Sequence, residues 1–218
     1  LAGALAVLLR LALGTARVWW LTRGARQVTE HSWLTLARGM ATRLQLRGRV
    51  ALFKSGRVGV PLTWGAWRAV VLLPAEADGW SEGCRSAVLL HEFAHVKRRD
   101  CLTQLLAQVV CALYWFNPLV WVAARCLRAE RELACDDHVL DVGTRASEYA
   151  NYLVELAGAW GAHPEVSPVA VGMACSQLES RVQAILDPRV RRGGVTRRGV
   201  FVALPLVAAL LLPVAALQ

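Results

Sequence analysis

Two histidines four residues apart, with a glutamate after the first, carry the chemistry of this chain: His91-Glu92-Phe93-Ala94-His95. On a helix, positions i and i+4 share one face, so both imidazoles can bind one Zn²⁺. Glu92 then stands as general base beside a water that the ion acidifies towards neutral pH. The third protein ligand must come from a second element. Glu132, in Glu130-Arg131-Glu132-Leu133-Ala134-Cys135-Asp136, is suited to that role and leaves a fourth position for water and a scissile carbonyl. Glu132 and Asp136 share a helical face, so one can ligate while the other orients a histidine or an arginine. The reading here gives ligation to Glu132 and support to Asp136. Asp100, five residues after His95, is a second supporting carboxylate. The residues flanking the motif, Val88, Leu89, Leu90, Phe93, Ala94 and Val96, are apolar. Polar groups buried in such a helix need a partner, and zinc is one. His31, His138 and His163 lack metal-ligand spacing to the motif, and no residue stands out as an oxyanion donor.

The elements that position these groups follow from the pattern. Ser81 predicts an N-cap for a helix from about Glu82 that carries the motif and continues through Lys97-Arg98-Arg99-Asp100. From Cys101 to Ala124 no charged residue occurs, which is long enough for a membrane segment. A single crossing, however, would leave Glu132 roughly 30 Å from the histidines. A helical hairpin over 101–127 removes the conflict. Asn117-Pro118 lies near the midpoint between His95 and Glu132, so the reversal is expected around Phe116 to Pro118. Arg125 to Leu140 reads as the returning helix, with further helices over Tyr149–Trp160 and Gln177–Leu186 and a loop from Gly161 to Pro168. Between residues 43 and 73, runs around Leu44–Phe53, Val58–Pro61 and Ala69–Leu73 predict three short strands ended by Pro74. Their edge can hold an extended peptide, or the sheet can serve packing alone. The fold class is therefore α+β, mostly α: a zinc protease domain with a small sheet and a helical hairpin, flanked by transmembrane helices.

Composition supports a membrane setting. Hydrophobic residues make up 56% of the chain, and Lys and Arg exceed Asp and Glu by 25 to 16, a net charge of +9. Nucleic acid is one partner for such a charge, but the arginines cluster beside apolar runs, as cytoplasmic flanks of membrane spans do. Leu1–Leu21 is apolar except for Arg10 and Arg17, and Arg23 and Arg26 put its far end in the cytoplasm. Arg10, near the middle of that span, must face other helices or reach the interface. Arg191, Arg192, Arg197 and Arg198 precede an uncharged run from Val200 to Leu217. The expected layout is a span at 1–21, a cytoplasm-facing zinc peptidase domain at 22–198 and a span at 199–218. Residue 1 is Leu within an apolar stretch, which reads as a fragment or a processed product. Trp19, Trp20, Trp115 and Trp121 suit membrane interfaces. The six cysteines contain no C-x-x-C pair and read as reduced thiols.

The combination of His91-Glu92-Phe93-Ala94-His95, Trp115-Phe116-Asn117-Pro118-Leu119-Val120-Trp121 and Glu130-Arg131-Glu132-Leu133-Ala134-Cys135-Asp136 resembles the M56 metallopeptidases. These are membrane proteins typified by the BlaR/MecR sensor-transducers. Val60–Gly65 and Val70–Pro74 are similar to that family's strands, and the likeness runs from about Val50 to Leu186. It implies a gluzincin with His91, His95 and Glu132 as zinc ligands and Glu92 as catalytic base. It also implies a multi-pass protein of the bacterial cell membrane with its protease domain in the cytoplasm. Its partners would be membrane lipid and a protein substrate, either a transcriptional repressor or the chain itself, without direct nucleic-acid contact. Self-cleavage between Ser180 and Arg198 is one such expectation. The chain shows no sensor domain, so an antibiotic-sensing role does not carry over. Two other readings remain: a catalytically silent membrane scaffold that keeps zinc, and an M48-type protease, which shares H-E-x-x-H and E-x-x-x-D.

Overall fold

In the computed structural model the described residues are 1–161 and 178–189; at 159–161 only the backbone is described. The expected loop after Gly161, His163 and the expected span at 199–218 lie outside them. The unit Leu1–Pro188 is mostly helical, with one small mixed sheet.

The chain opens with α1 (Ala2–Arg23), a 22-residue apolar helix with no buried residue. At about 1.5 Å per residue it is roughly 33 Å long, enough to cross a hydrocarbon core. Two elements follow that the sequence reading did not anticipate. One is the two-residue strand β1 (Arg26–Gln27), and the other is α2 (His31–Arg43), which buries Trp33 and Met40. Leu36, Ala37 and Ala41 pack beside them, so the core-facing side of α2 recurs at helical spacing.

The sheet comprises β1, β2 (Ala51–Ser55), β3 (Leu62–Trp64) and β4 (Val70–Pro74) in the order β1-β2-β4-β3. β2 and β4 pair in parallel at the centre, while β1 and β3 join them antiparallel at the two edges. The middle strand is displaced from expectation: Val58–Pro61 is not strand, and pairing starts at Leu62. Proline has no N–H to give a ladder, so pairing begins beyond Pro61. Gly65 then turns the chain into β4 with φ +97°, where a side chain would run into the Arg68 carbonyl.

α3 (Glu82–Arg98) carries the histidine motif behind this sheet. Ser81 caps it as expected, its hydroxyl accepting from the Cys84 N–H at 3.2 Å. Residues 87–94 are all buried. Ala87, Val88, Leu89, Leu90 and Phe93 form the main core together with Trp33, Leu52, Val71, Leu73, Val139 and Tyr149. Each fully buried large apolar side chain contributes about 1.5–3 kcal/mol. The helix does not run on through Asp100. Arg99 adopts φ 57°, ψ 41°, and α4 (Asp100–Leu113) departs in a new direction. A left-handed non-glycine residue costs roughly 1–2 kcal/mol, and the corner it makes returns Asp100 to the motif.

α4 and α5 (Pro118–Asp141) form the hairpin, reversing through Tyr114–Asn117. Asn117 accepts from the Leu119 N–H at 3.0 Å and Pro118 occupies the first turn, so the returning helix starts seven residues before Arg125. α1 packs along α4, and Gly3 of α1 sits directly against the Trp115 ring at the hairpin tip. α6 (Ala146–Gly161) follows, and residues 178–186 are helical (α7).

Candidate metal centre

α3 projects His91 and His95 from one face, with ring centroids 4.9 Å apart and planes nearly perpendicular. The hairpin returns α5 alongside α3, so Glu132 reaches both rings. Its Oε2 lies 3.5 Å from His91 Nε2 and 3.9 Å from His95 Nε2. One ligand atom from each of these three residues falls within 4.8 Å of the others. Two imidazole nitrogens and one carboxylate oxygen are the donor set of a catalytic zinc site, and the residues fit that ion.

The opposite ring nitrogens are tied down by different partners. His91 Nδ1 lies 3.1 Å from Asp136 Oδ1 and 3.0 Å from the Tyr149 hydroxyl. Tyr149 also donates to Asp136 Oδ1 at 2.7 Å. Arg181, from α7, grips the same carboxylate with two bonds, Nε to Oδ2 at 2.8 Å and Nη2 to Oδ1 at 2.6 Å. Its Nη1 stands 3.8 Å from Glu132 Oε2. His95 Nδ1 is 2.8 Å from Asp100 Oδ2, with the Cys135 thiol 3.2 Å from the same nitrogen and 3.5 Å from the same oxygen. A ring that gives its Nδ1–H to its carboxylate turns its Nε2 lone pair to the common point.

His95, Asp100 and Cys135 form a second cluster with ligand-like spacing. It competes for the same imidazole, and burial together with Asp100 pushes the Cys135 thiol up, so it stays protonated and donates. The cluster therefore reads as the hydrogen-bonding support of His95.

Electrostatics in the centre favour a positive charge between the rings. Burial alone would lower His91, but Asp136 and Glu132 beside it outweigh this and raise it to about 9. Burial would raise Glu132, yet His91, His95 and Arg181 bring it down to about 2. Asp136 and Asp100 are likewise held below the usual carboxylate range against their burial, Asp136 by Arg181 and His91, Asp100 by His95 and Arg98.

Glu92 is buried on the same helix, and its Oε2 accepts from the Thr63 hydroxyl of β3 at 2.6 Å. The centre opens into a cleft of about 1170 Å³. Its walls include Leu62 and Trp64 of β3, Arg10 and Gly14 of α1, and Tyr152 and Leu156 of α6. Arg10, expected to avoid lipid, lies on this cleft.

The structure brings together all six residues singled out from the sequence: His91, Glu92, His95, Asp100, Glu132 and Asp136. Thr63, Cys135, Tyr149 and Arg181 were not singled out as parts of the site. Thr63 and Cys135 stand within quoted motifs but carry no ligand spacing. Arg181 and Tyr149 could have been sought by one signal: an aspartate on a buried helix face demands a cation or a hydroxyl.

Comparison with known proteins fits this arrangement. Residues 1–185 match the family model described as BlaR1 peptidase M56, and the chain belongs to that family. The M48 alternative is thereby set aside. Among curated relatives, the regulatory protein BlaR1 of Bacillus licheniformis is 29% identical over 138 residues, 63% of this chain and 23% of that protein. The methicillin resistance mecR1 protein of Staphylococcus aureus is 25% identical over 97 residues, 44% of this chain and 17% of that protein. The regulatory protein BlaR1 of Staphylococcus aureus is 24% identical over 109 residues, 50% of this chain and 18% of that protein. The chain thus spans less than a quarter of the length of these relatives.

Proposed function

We propose that this chain is the zinc endopeptidase region of an integral-membrane regulatory protein that signals by proteolysis. His91, His95 and Glu132 hold Zn²⁺, Glu92 is the general base, and Asp136 and Asp100 orient the two histidines. The observation that carries this reading is the approach of Glu132 to both Nε2 atoms while each Nδ1 is held from behind. When bound, Zn²⁺ polarises the scissile carbonyl and acidifies the attacking water. Thr63 fixes one oxygen of Glu92, leaving Oε1 to take a proton from that water and pass one to the leaving amine. β3 is an edge strand, and its outer main-chain edge can hold a substrate segment extended along the cleft.

The membrane part of the reading rests on α1 and the hairpin. α1 has the length and composition of a span. Leu106, Leu113, Trp115, Phe116, Leu119 and Val122 of the hairpin are exposed. α4 is only 14 residues, about 21 Å, so the hairpin dips into the bilayer rather than crossing it. The peptidase domain faces the cytoplasm, as the basic residues after α1 favour. The substrate is a protein: a cytoplasmic transcriptional repressor, or the chain itself between Ser180 and Arg198. The basic charge serves membrane flanks, not nucleic acid.

The test is peptide or self-cleavage by purified protein against Glu92→Ala, with zinc measured in both. Loss of cleavage by about 10²–10⁴-fold at unchanged zinc is expected. Fragment ends found by mass spectrometry in the wild type alone would locate self-cleavage. Zinc in both proteins with cleavage in neither would favour the silent scaffold instead.

A further inference from the structure

Asp136 is 1% exposed, and its Oδ1 is shared by Tyr149, Arg181 and His91. A carboxylate accepts the His91 Nδ1–H most strongly when ionised, and its plane sets where the ring points. Tyr149 is neutral and contacts one oxygen, so it supplies neither the charge nor the plane. Arg181 supplies both. Its fork meets both carboxylate oxygens, its side chain is only 18% exposed, and it reaches Asp136 from 45 positions further along the chain. A planar fork sets a carboxylate's plane in a way a lysine ammonium cannot.

The helix that carries Arg181 is built to stay. Ile185 is buried in the main core and Val182 packs against it. Arg181 Nη1 also stands 3.8 Å from Oε2 of Glu132, the proposed third ligand.

We propose that Arg181 is a positioning residue for the metal centre: it locks Asp136, and through it the His91 ring, so α7 is an integral part of the site. This rests on the zinc reading above. A chain ending before residue 181 would keep every ligand and the catalytic base yet hold the ion poorly.

The experiment is chelator competition for Zn²⁺ on the full chain in detergent, with wild type, His91→Ala, Arg181→Ala, Arg181→Lys, Asp136→Asn and the double variant Arg181→Lys/Asp136→Asn. Loss of a hydrogen-bonded support typically costs 10–100-fold in metal affinity. Arg181→Ala is expected in that range, and Arg181→Lys in its lower part with an unchanged thermal midpoint. Against Asp136→Asn, the lysine change should add less than about twofold, because the carboxylate it acts through is gone. At saturating zinc, Arg181→Lys should lower kcat more than it raises KM. If Arg181→Ala does not fold, Arg181→Lys decides the matter. Wild-type affinity in Arg181→Lys, or an undiminished effect in the Asp136→Asn background, would overturn the inference alone. A wild type without zinc, or His91→Ala binding it equally well, would bring down the metal reading and the inference with it.

Discussion

The molecule spends its apolar residues in two opposite ways. Around the sheet, α2 and α3 they are packed: Trp33, Leu73, Leu89 and Phe93 are each at most 1% exposed. Along α1, α4 and the first turns of α5 they are left open, with Leu113 at 65% and Leu119 at 58%. The candidate centre lies where these regions meet. The histidines and Glu92 come from the packed side on α3, and Glu132 comes from the hairpin's returning arm. Hydropathy alone points the wrong way, since the open α1 and α4 are more apolar overall than the packed α2 and α3. Which of them is core is decided by topology, and the centre depends on both.

That contrast can be tested by unequal responses to substitution. Phe93→Ala, in the packed region, should cost about 3–5 kcal/mol, read as a lowered thermal midpoint in detergent. Leu113→Asp should leave that midpoint within about 0.5 kcal/mol of wild type but weaken partition into liposomes, by up to about 3 kcal/mol if the hairpin enters the bilayer. An equal loss of thermal stability in both variants would erase the distinction. Asn117→Ala removes the cap that starts α5 and should cost about 1 kcal/mol, seen in the same melts.

The smallest effect is a pH dependence at the packed end of α5. Burial, then Lys97 and Arg98, lower His138 from its ordinary 6.5. The folded state therefore binds this proton less readily than the unfolded chain. The associated stability is complete above about 6.5 and is lost as pH falls through the lowered value. His138→Gln should reduce the stability difference between pH 7.5 and 5.5; an unchanged difference would place the titrating group elsewhere.

The parts of this fold that were legible in the sequence are those whose causes are local. The Ser81 cap, the helix bearing His91 and His95 and the break at Asn117-Pro118 each follow from neighbouring residues. The approach of Glu132 was legible through a distance argument, since one crossing would have separated the ligands. The hidden parts are non-local. α2 is the exception: its face of Trp33, Leu36, Ala37, Met40 and Ala41 recurs at helical spacing, so it was legible and went unrecognised. β1 is two residues long and exists only through pairing with Phe53 and Lys54. The corner at Arg99 defied expectation because a left-handed arginine has no sequence signature. Arg181 stood among 25 basic residues, and nothing in its own surroundings linked it to Asp136.

The account stands or falls on Glu132 joining His91 and His95 at one ion. Metal analysis of purified wild type and Glu132→Ala, prepared side by side without chelator, tests it most directly. About one zinc per chain in the wild type, and a small fraction of that in the variant, is the expected result. An equal, full complement of zinc in both proteins would contradict it.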